Sequence, residues 1–120
     1  MLVDAQVPVA SAVFCYGYMF GAAQVAAQMG FADPCAGRSS NDVKSGVPLL
    51  VVRAGQDQTP GLNATLDSFV AGAVSRDLPI TLINHAGAPH AFDLVDDSAA
   101  TREVIRAIIA YLRAKLAQAP

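Results

Sequence analysis

Along the chain, unbroken apolar runs alternate with stretches whose apolar positions recur every three or four residues. The plainest signal is Leu49-Leu50-Val51-Val52, continuous as a parallel strand covered on both faces requires. It predicts a strand over Pro48 to Arg53, with proline tolerated at the first position. Thr59-Pro60 then reads as a helix start, threonine as the cap and proline at the first helical position. Leu62, Leu66, Phe69, Val70, Ala73 and Val74 would form the buried face of that helix. A further strand is expected over Leu78 to Asn84, closed by a loop from His85 to Ala91. The last helix should begin near Asp97 or Ser98, with Val104, Ile105, Ile108, Ile109, Leu112 and Leu116 as its apolar stripe.

The first third of the chain follows the same alternation. Val7 to Tyr16 reads as a short buried strand ended by Gly17, and Tyr18 to Met29 as an alanine-rich helix stopped by Gly30. Phe31 to Gly46 collects Pro34, Gly37, Ser39, Ser40, Asn41 and Asp42, the residues of a surface loop. Strand, helix, strand, helix, strand, helix predicts an α/β protein with a short parallel sheet. At 120 residues the whole chain fits a single domain.

Composition narrows the function classes. Eight Lys+Arg against ten Asp+Glu, a net charge of -2, leave no basic footprint for nucleic acid. The chain is 53% hydrophobic and 15% charged, so either most of it is buried or an apolar surface meets a partner. The uncharged stretch from Ala5 to Ala32 raises the question of a membrane span. Pro8, Gly17, Gly21, Gln24, Gln28 and Gly30 interrupt it, no Lys or Arg flanks it, and no membrane association is expected. Nothing basic precedes the apolar part, as a signal peptide would need. Cys15 and Cys35 have neither a CxxC spacing nor a histidine at zinc-finger distance, so no disulfide framework, metal or cofactor is expected, and the setting reads as reducing and cytoplasmic.

Ligands on a parallel sheet bind beyond the carboxyl ends of the strands, which selects the segments Gly55 to Thr59 and His85 to His90. They carry Asp57 and His90, one strand-helix-strand crossover apart. Taken singly, an aspartate after a strand is usually a turn former or cap, and a loop histidine is usually just exposed. Together, at one edge of consecutive strands, a carboxylate can orient an imidazole and stabilise its charged form while it moves a proton.

The segments Val47-Pro48-Leu49-Leu50-Val51-Val52-Arg53-Ala54-Gly55-Gln56-Asp57 and Ala88-Pro89-His90-Ala91-Phe92-Asp93 resemble the acid and histidine motifs of the dienelactone-hydrolase branch of the α/β-hydrolases. The resemblance extends in order from Val47 to Leu116. It implies a three-layer α/β/α arrangement corresponding to the C-terminal part of that fold, with Asp57 as triad acid and His90 as triad base. His85 matches no catalytic position of the family and reads as a loop or strand-end residue.

The nucleophile is open between two readings. Val13-Phe14-Cys15-Tyr16-Gly17 follows a strand and precedes a helix, and puts a cysteine where dienelactone hydrolases carry one. Val13, however, stands where an elbow needs a small residue. The other reading compares Ser11 to Gly17 with the strand that the family places between its elbow and its acid, which makes Cys15 a small buried hydrophobe. The elbow then lies outside this sequence.

Three functions follow as expectations. The first is an enzyme that opens a carboxylic ester or lactone through an acyl-enzyme. The second is a catalytically incomplete hydrolase module that forms a homodimer by pairing its exposed first strands across a two-fold axis. The third is a flavodoxin-like ligand-binding domain, which lacks the support of a glycine-rich phosphate loop.

Overall fold

Three parallel strands form one sheet in the order β1 (Ala12–Cys15), β2 (Leu49–Ala54), β3 (Ile80–His85). The structure is a computed structural model that describes residues 8–33 and 35–118. Val7, the predicted start of the first strand, Pro34, one of the predicted turn formers, and Ala5, where the uncharged stretch begins, lie outside the described residues. Between the strands run α1 (Ala23–Met29), a single turn of 3₁₀ helix (Ser40–Asp42) and α2 (Leu62–Ser75). After β3 come a one-turn helix, α3 (Phe92–Val95), and α4 (Ala99–Ala117). The α/β class and the parallel sheet thus agree with the pattern of the sequence.

β2 is the centre of the molecule, and its side chains feed two separate cores. Leu49 and Val51 pack with Leu66, Phe69 and Ala73 of α2, together with Met19, Val43 and Leu78. Leu50, Val52 and Ala54 pack with Ala88 and Phe92, flanked by Val104, Ile108 and Tyr111 of α4. Alternation along the strand sends successive side chains to opposite sides. Every apolar residue of β2 is therefore fully buried, each contributing about 1.5–3 kcal/mol when large.

Several boundaries depart from expectation, each for an identifiable reason. β1 begins at Ala12, so Pro8 to Ser11 of the predicted strand are not part of it, because a strand extends only as far as its neighbour. Its first bond runs from the Ala12 amide to the Pro48 carbonyl, and Ala12 pairs in register with Leu49, the first residue of β2. Helix α1 begins at Ala23, not at Tyr18. Gly21 has φ 89, which no helix accommodates, and the Tyr18 hydroxyl is engaged by the Pro60 carbonyl at 2.7 Å. Its end at Gly30 is as expected, with Gly30 left-handed at φ 78. β2 and β3 each run one residue past their predicted ends, so that Ala54 pairs with His85.

Thr59 does not cap α2. The cap is Gly61, left-handed at φ 72, and Thr59 is occupied elsewhere, as described below. Of the predicted buried face, Leu62, Leu66, Phe69 and Ala73 are buried and Val70 packs against the first core. Val74 is exposed, because it lies about 100° around the helix from Ala73.

The start of α4 falls where expected, near Asp97 or Ser98: Ser98 is the cap, its hydroxyl accepting the Thr101 amide. The apolar stripe of α4 is only partly used: Val104 and Ile108 join the second core, while Ile109 and Leu116 are exposed. Ile109 lies about 100° around the helix from Ile108 and so off the packed face, while Leu116 lies in the last turn of a helix ~28 Å long, longer than the ~20 Å of a six-residue strand. Among the described residues, no helix is long and apolar enough to cross a membrane.

Candidate acid and base site

The carboxyl ends of β2 and β3 continue into two loops that are laced together by their backbones. The Gly55 amide donates to the His85 carbonyl at 2.9 Å, and the Gln56 amide to the Ala88 carbonyl at 2.8 Å. Gly55 is where the loops come closest. A Cβ added there would lie 2.4 Å from the Ala86 carbonyl oxygen and 2.7 Å from its Cα, so only glycine fits. This lacing carries Asp57 and His90 to the same edge of the sheet.

There the two side chains meet. His90 Nδ1 lies 2.7 Å from Asp57 Oδ2, with the Asp57 carboxylate wholly buried and the imidazole about half exposed, 47%. Asp57 is held from its other side by Thr59, whose amide donates to Oδ1 at 2.8 Å. This is an aspartate turn, in which a side chain binds the backbone two residues on. The Thr59 hydroxyl also lies 3.4 Å from His90 Nδ1, a longer contact that leaves the Asp57 oxygen as the main partner.

Burial alone would push the Asp57 carboxyl up. Hydrogen bonds from the Thr59 hydroxyl and amide and from His90 together outweigh it and hold the carboxyl below its ordinary value. The group is therefore an anion at neutral pH and can stabilise a positive imidazolium. With Nδ1 turned to Asp57, the opposite ring nitrogen is the one left to exchange a proton with a bound molecule.

The backbone turn that presents His90 is strained. Ala91 is left-handed at φ 55, a conformation that costs a residue bearing a Cβ roughly 1–2 kcal/mol. It reverses the chain so that His90 faces outward while Phe92, two residues on, is fully buried in the second core. Tyr16, at the end of β1, is left-handed as well, at φ 37. Its ring stands edgewise to His90, centroids 5.0 Å apart, and to Phe92 at 5.5 Å. Its hydroxyl donates to Asp93 Oδ1 at 2.6 Å. That bond, with burial and the charge of Asp93 added, pushes the phenol up to about 12.

Cys15 is placed differently from the other two predicted residues. It is the last residue of β1, paired in register with Val52, and its side chain packs against the second core. Burial, followed by the charge of Asp93, pushes the thiol up, so the reactive thiolate is disfavoured. Among the described residues no hydrogen bond joins Cys15 to His90, and both cysteines are free.

His85 is the strand-end residue that the sequence implied, but it is buried and tethered. Its Nε2 lies 2.8 Å from the Thr101 hydroxyl, which donates in turn to Asp96, and its ring stands edgewise to Phe92 at 5.4 Å. The β3 end is thereby pinned to the start of α4.

Thr59, expected as a helix cap, and Tyr16 and Asp93 are neighbours of the site to which the sequence pattern assigned no role in it. Asp57 is a turn former by type, but nothing in the sequence tied its turn to Thr59. Tyr16 and Asp93 lie far apart in the chain and carried no signal. A scan against protein-family models finds no match to this chain, and searches of curated proteins and of solved structures find none either.

Proposed function

We propose that this chain carries the acid and base of a carboxylic ester or lactone hydrolase of the dienelactone-hydrolase kind. Asp57 is the acid, His90 the base, and Cys15 a strand residue with no part in the chemistry. The observation that carries the reading is the Asp57–His90 hydrogen bond of 2.7 Å between a buried anion and a half-exposed imidazole at the mouth of a parallel sheet. Helices α2 and α4, packed against alternate residues of β2, support a three-layer α/β/α arrangement of the kind found in the C-terminal part of that fold.

In this reading the outer nitrogen of His90 takes the proton from the attacking hydroxyl or thiol and returns it to the leaving alcohol. Asp57 fixes the tautomer and offsets the charge that His90 acquires.

Hydrolysis of a small aryl ester and of an unsaturated lactone by the wild type, His90→Ala and Cys15→Ser tests the assignment. With Cys15 outside the chemistry, attack in this chain falls to water that His90 activates, so the slow wild-type hydrolysis should fall about 10²–10⁴-fold, toward the uncatalysed rate, in His90→Ala and be unchanged in Cys15→Ser. Turnover that survives His90→Ala would remove His90 from the mechanism. Loss in Cys15→Ser would make Cys15 the nucleophile.

The outer edge of β1 favours a second reading, in which the chain is a catalytically incomplete module that pairs with a copy of itself. The Ala12 and Tyr16 amides point to β2, so the peptide groups of Val13 and Cys15 face away from the sheet. Among the described residues no strand pairs with that edge, and the buried Tyr111 hydroxyl has no hydrogen-bond partner. An open strand edge invites strand addition. Light scattering at high concentration should then give the mass of a dimer. A monodisperse monomer would exclude self-pairing.

A further inference from the structure

We infer that Tyr16 is a positioning residue for His90: its ring seats the imidazole, and its hydroxyl, through Asp93, anchors the loop that carries it. The inference rests on reading Asp57 and His90 as an acid and base pair.

One hydrogen bond to Asp57 fixes the position of Nδ1 but leaves the imidazole free to swing about that bond. Catalytic groups must be held within about 10–20° of their working direction by side chains that are themselves immobile. His90 is half exposed, so few surfaces are near enough to do this. The Tyr16 ring is one, standing at 67° to the imidazole with centroids 5.0 Å apart, an edgewise geometry that aromatic pairs favour.

Tyr16 is itself immobilised on three sides. Its amide stays in the sheet, bonded to the Val52 carbonyl at 3.1 Å. Its ring also abuts Phe92, which is fully buried. Its hydroxyl ends on Asp93 Oδ1 at 2.6 Å.

Two features mark this as more than incidental packing. Tyr16 has φ 37, a conformation that glycine adopts freely and residues with a Cβ avoid, yet a large aromatic residue stands there. The side chain is therefore what the position uses. Asp93, besides, is the second carboxylate of the histidine loop, only three residues from His90. By engaging it, the Tyr16 hydroxyl ties that loop to the end of β1.

The test is proton NMR of the full chain with ¹⁵N-labelled histidine, following the exchange with water of the proton between His90 Nδ1 and Asp57. Tyr16→Leu removes ring and hydroxyl, and should speed that exchange about tenfold, as loss of an ordinary aromatic pair implies. Tyr16→Phe and Asp93→Asn each break only the tether and should speed it about threefold, near the strength of one exposed hydrogen bond. The double variant should match the singles. The His85 ring proton facing Thr101 is the internal reference and should be unaffected. Wild-type exchange at His90 in a folded Tyr16→Leu overturns the inference, and so does equal acceleration at His85 and His90, which would mean general loosening. If Tyr16→Leu does not fold, wild-type exchange in both Tyr16→Phe and Asp93→Asn overturns it. The measurement needs no turnover, so its failure and a failed ester assay are separate results.

Discussion

Replacing Phe92 by alanine is expected to lower the unfolding free energy by about 3–5 kcal/mol, the range for emptying a fully buried aromatic site. Phe92 is wholly buried in the second core, among Leu50, Val52, Ala54 and Ala88. Its ring also stands edgewise to Tyr16 and to His85, so the substitution removes two ring contacts as well as the buried area. The loss is a large part of the 5–15 kcal/mol that single domains possess. Urea denaturation at neutral pH, followed by circular dichroism, measures it. Phe92→Leu, which keeps most of the volume, should cost less than half as much. A Phe92→Ala loss below about 1 kcal/mol would show that the second core closes over the gap and is not the rigid floor on which the histidine loop rests.

Gly55→Ala should be nearly as severe for a different reason. The added methyl would meet the backbone of Ala86, with the carbonyl oxygen 2.4 Å away and the carbonyl carbon 2.8 Å away. Backbone cannot rotate aside as a side chain does, so the two loops must separate. That breaks the Gly55 amide bond to the His85 carbonyl and the adjoining Gln56 bond to Ala88. Overpacking of about 1–3 kcal/mol, plus about 1 kcal/mol for each bond lost, makes roughly 3–5 kcal/mol in all. The same denaturation experiment measures it, and histidine NMR should show the proton shared by His90 and Asp57 lost even in molecules that remain folded. An alanine variant with wild-type stability would mean that the loops can part at no cost, and that their lacing does not position the pair.

These two residues divide the labour of the site. Phe92 supports the histidine loop from below, and Gly55 lets the aspartate loop lie against it. Neither belongs to the pair, yet both bear on the distance between Asp57 and His90.

What the sequence by itself determined is the order of elements and the edge at which the chemistry-bearing residues sit. The apolar run Leu49 to Val52, short, half valine, and bounded by Pro48 and Gly55, reads as a strand, and a strand with every residue apolar must be buried on both sides because alternate residues point oppositely. Asp57 and His90 follow consecutive parallel strands, so their loops must emerge at the same edge. Local rules also placed Gly30 at the end of α1 and Ser98 at the start of α4, since each depends on a few neighbouring backbone groups.

Only the tertiary structure decided the rest. Thr59 looked like a helix cap, but a carboxylate two residues earlier, buried by the fold, captured its amide. The stripe of α4 looked uniformly buried, but which of its residues are covered depends on the direction from which the sheet meets the helix and on how far the sheet extends beneath it. The pairing of Tyr16 with His90 and Asp93 joins the end of the first strand to a loop more than seventy residues away, 77 in the case of the hydroxyl contact. No periodicity records such a contact, because it arises from where two chain ends land on one sheet edge and not from spacing along either. For the same reason Cys15, at the end of an apolar strand, could be read from its neighbours alone as elbow or as core. Its pairing with Val52, its burial and the nearby charge of Asp93 are long-range facts, and the last two, burial first, disfavour the thiolate.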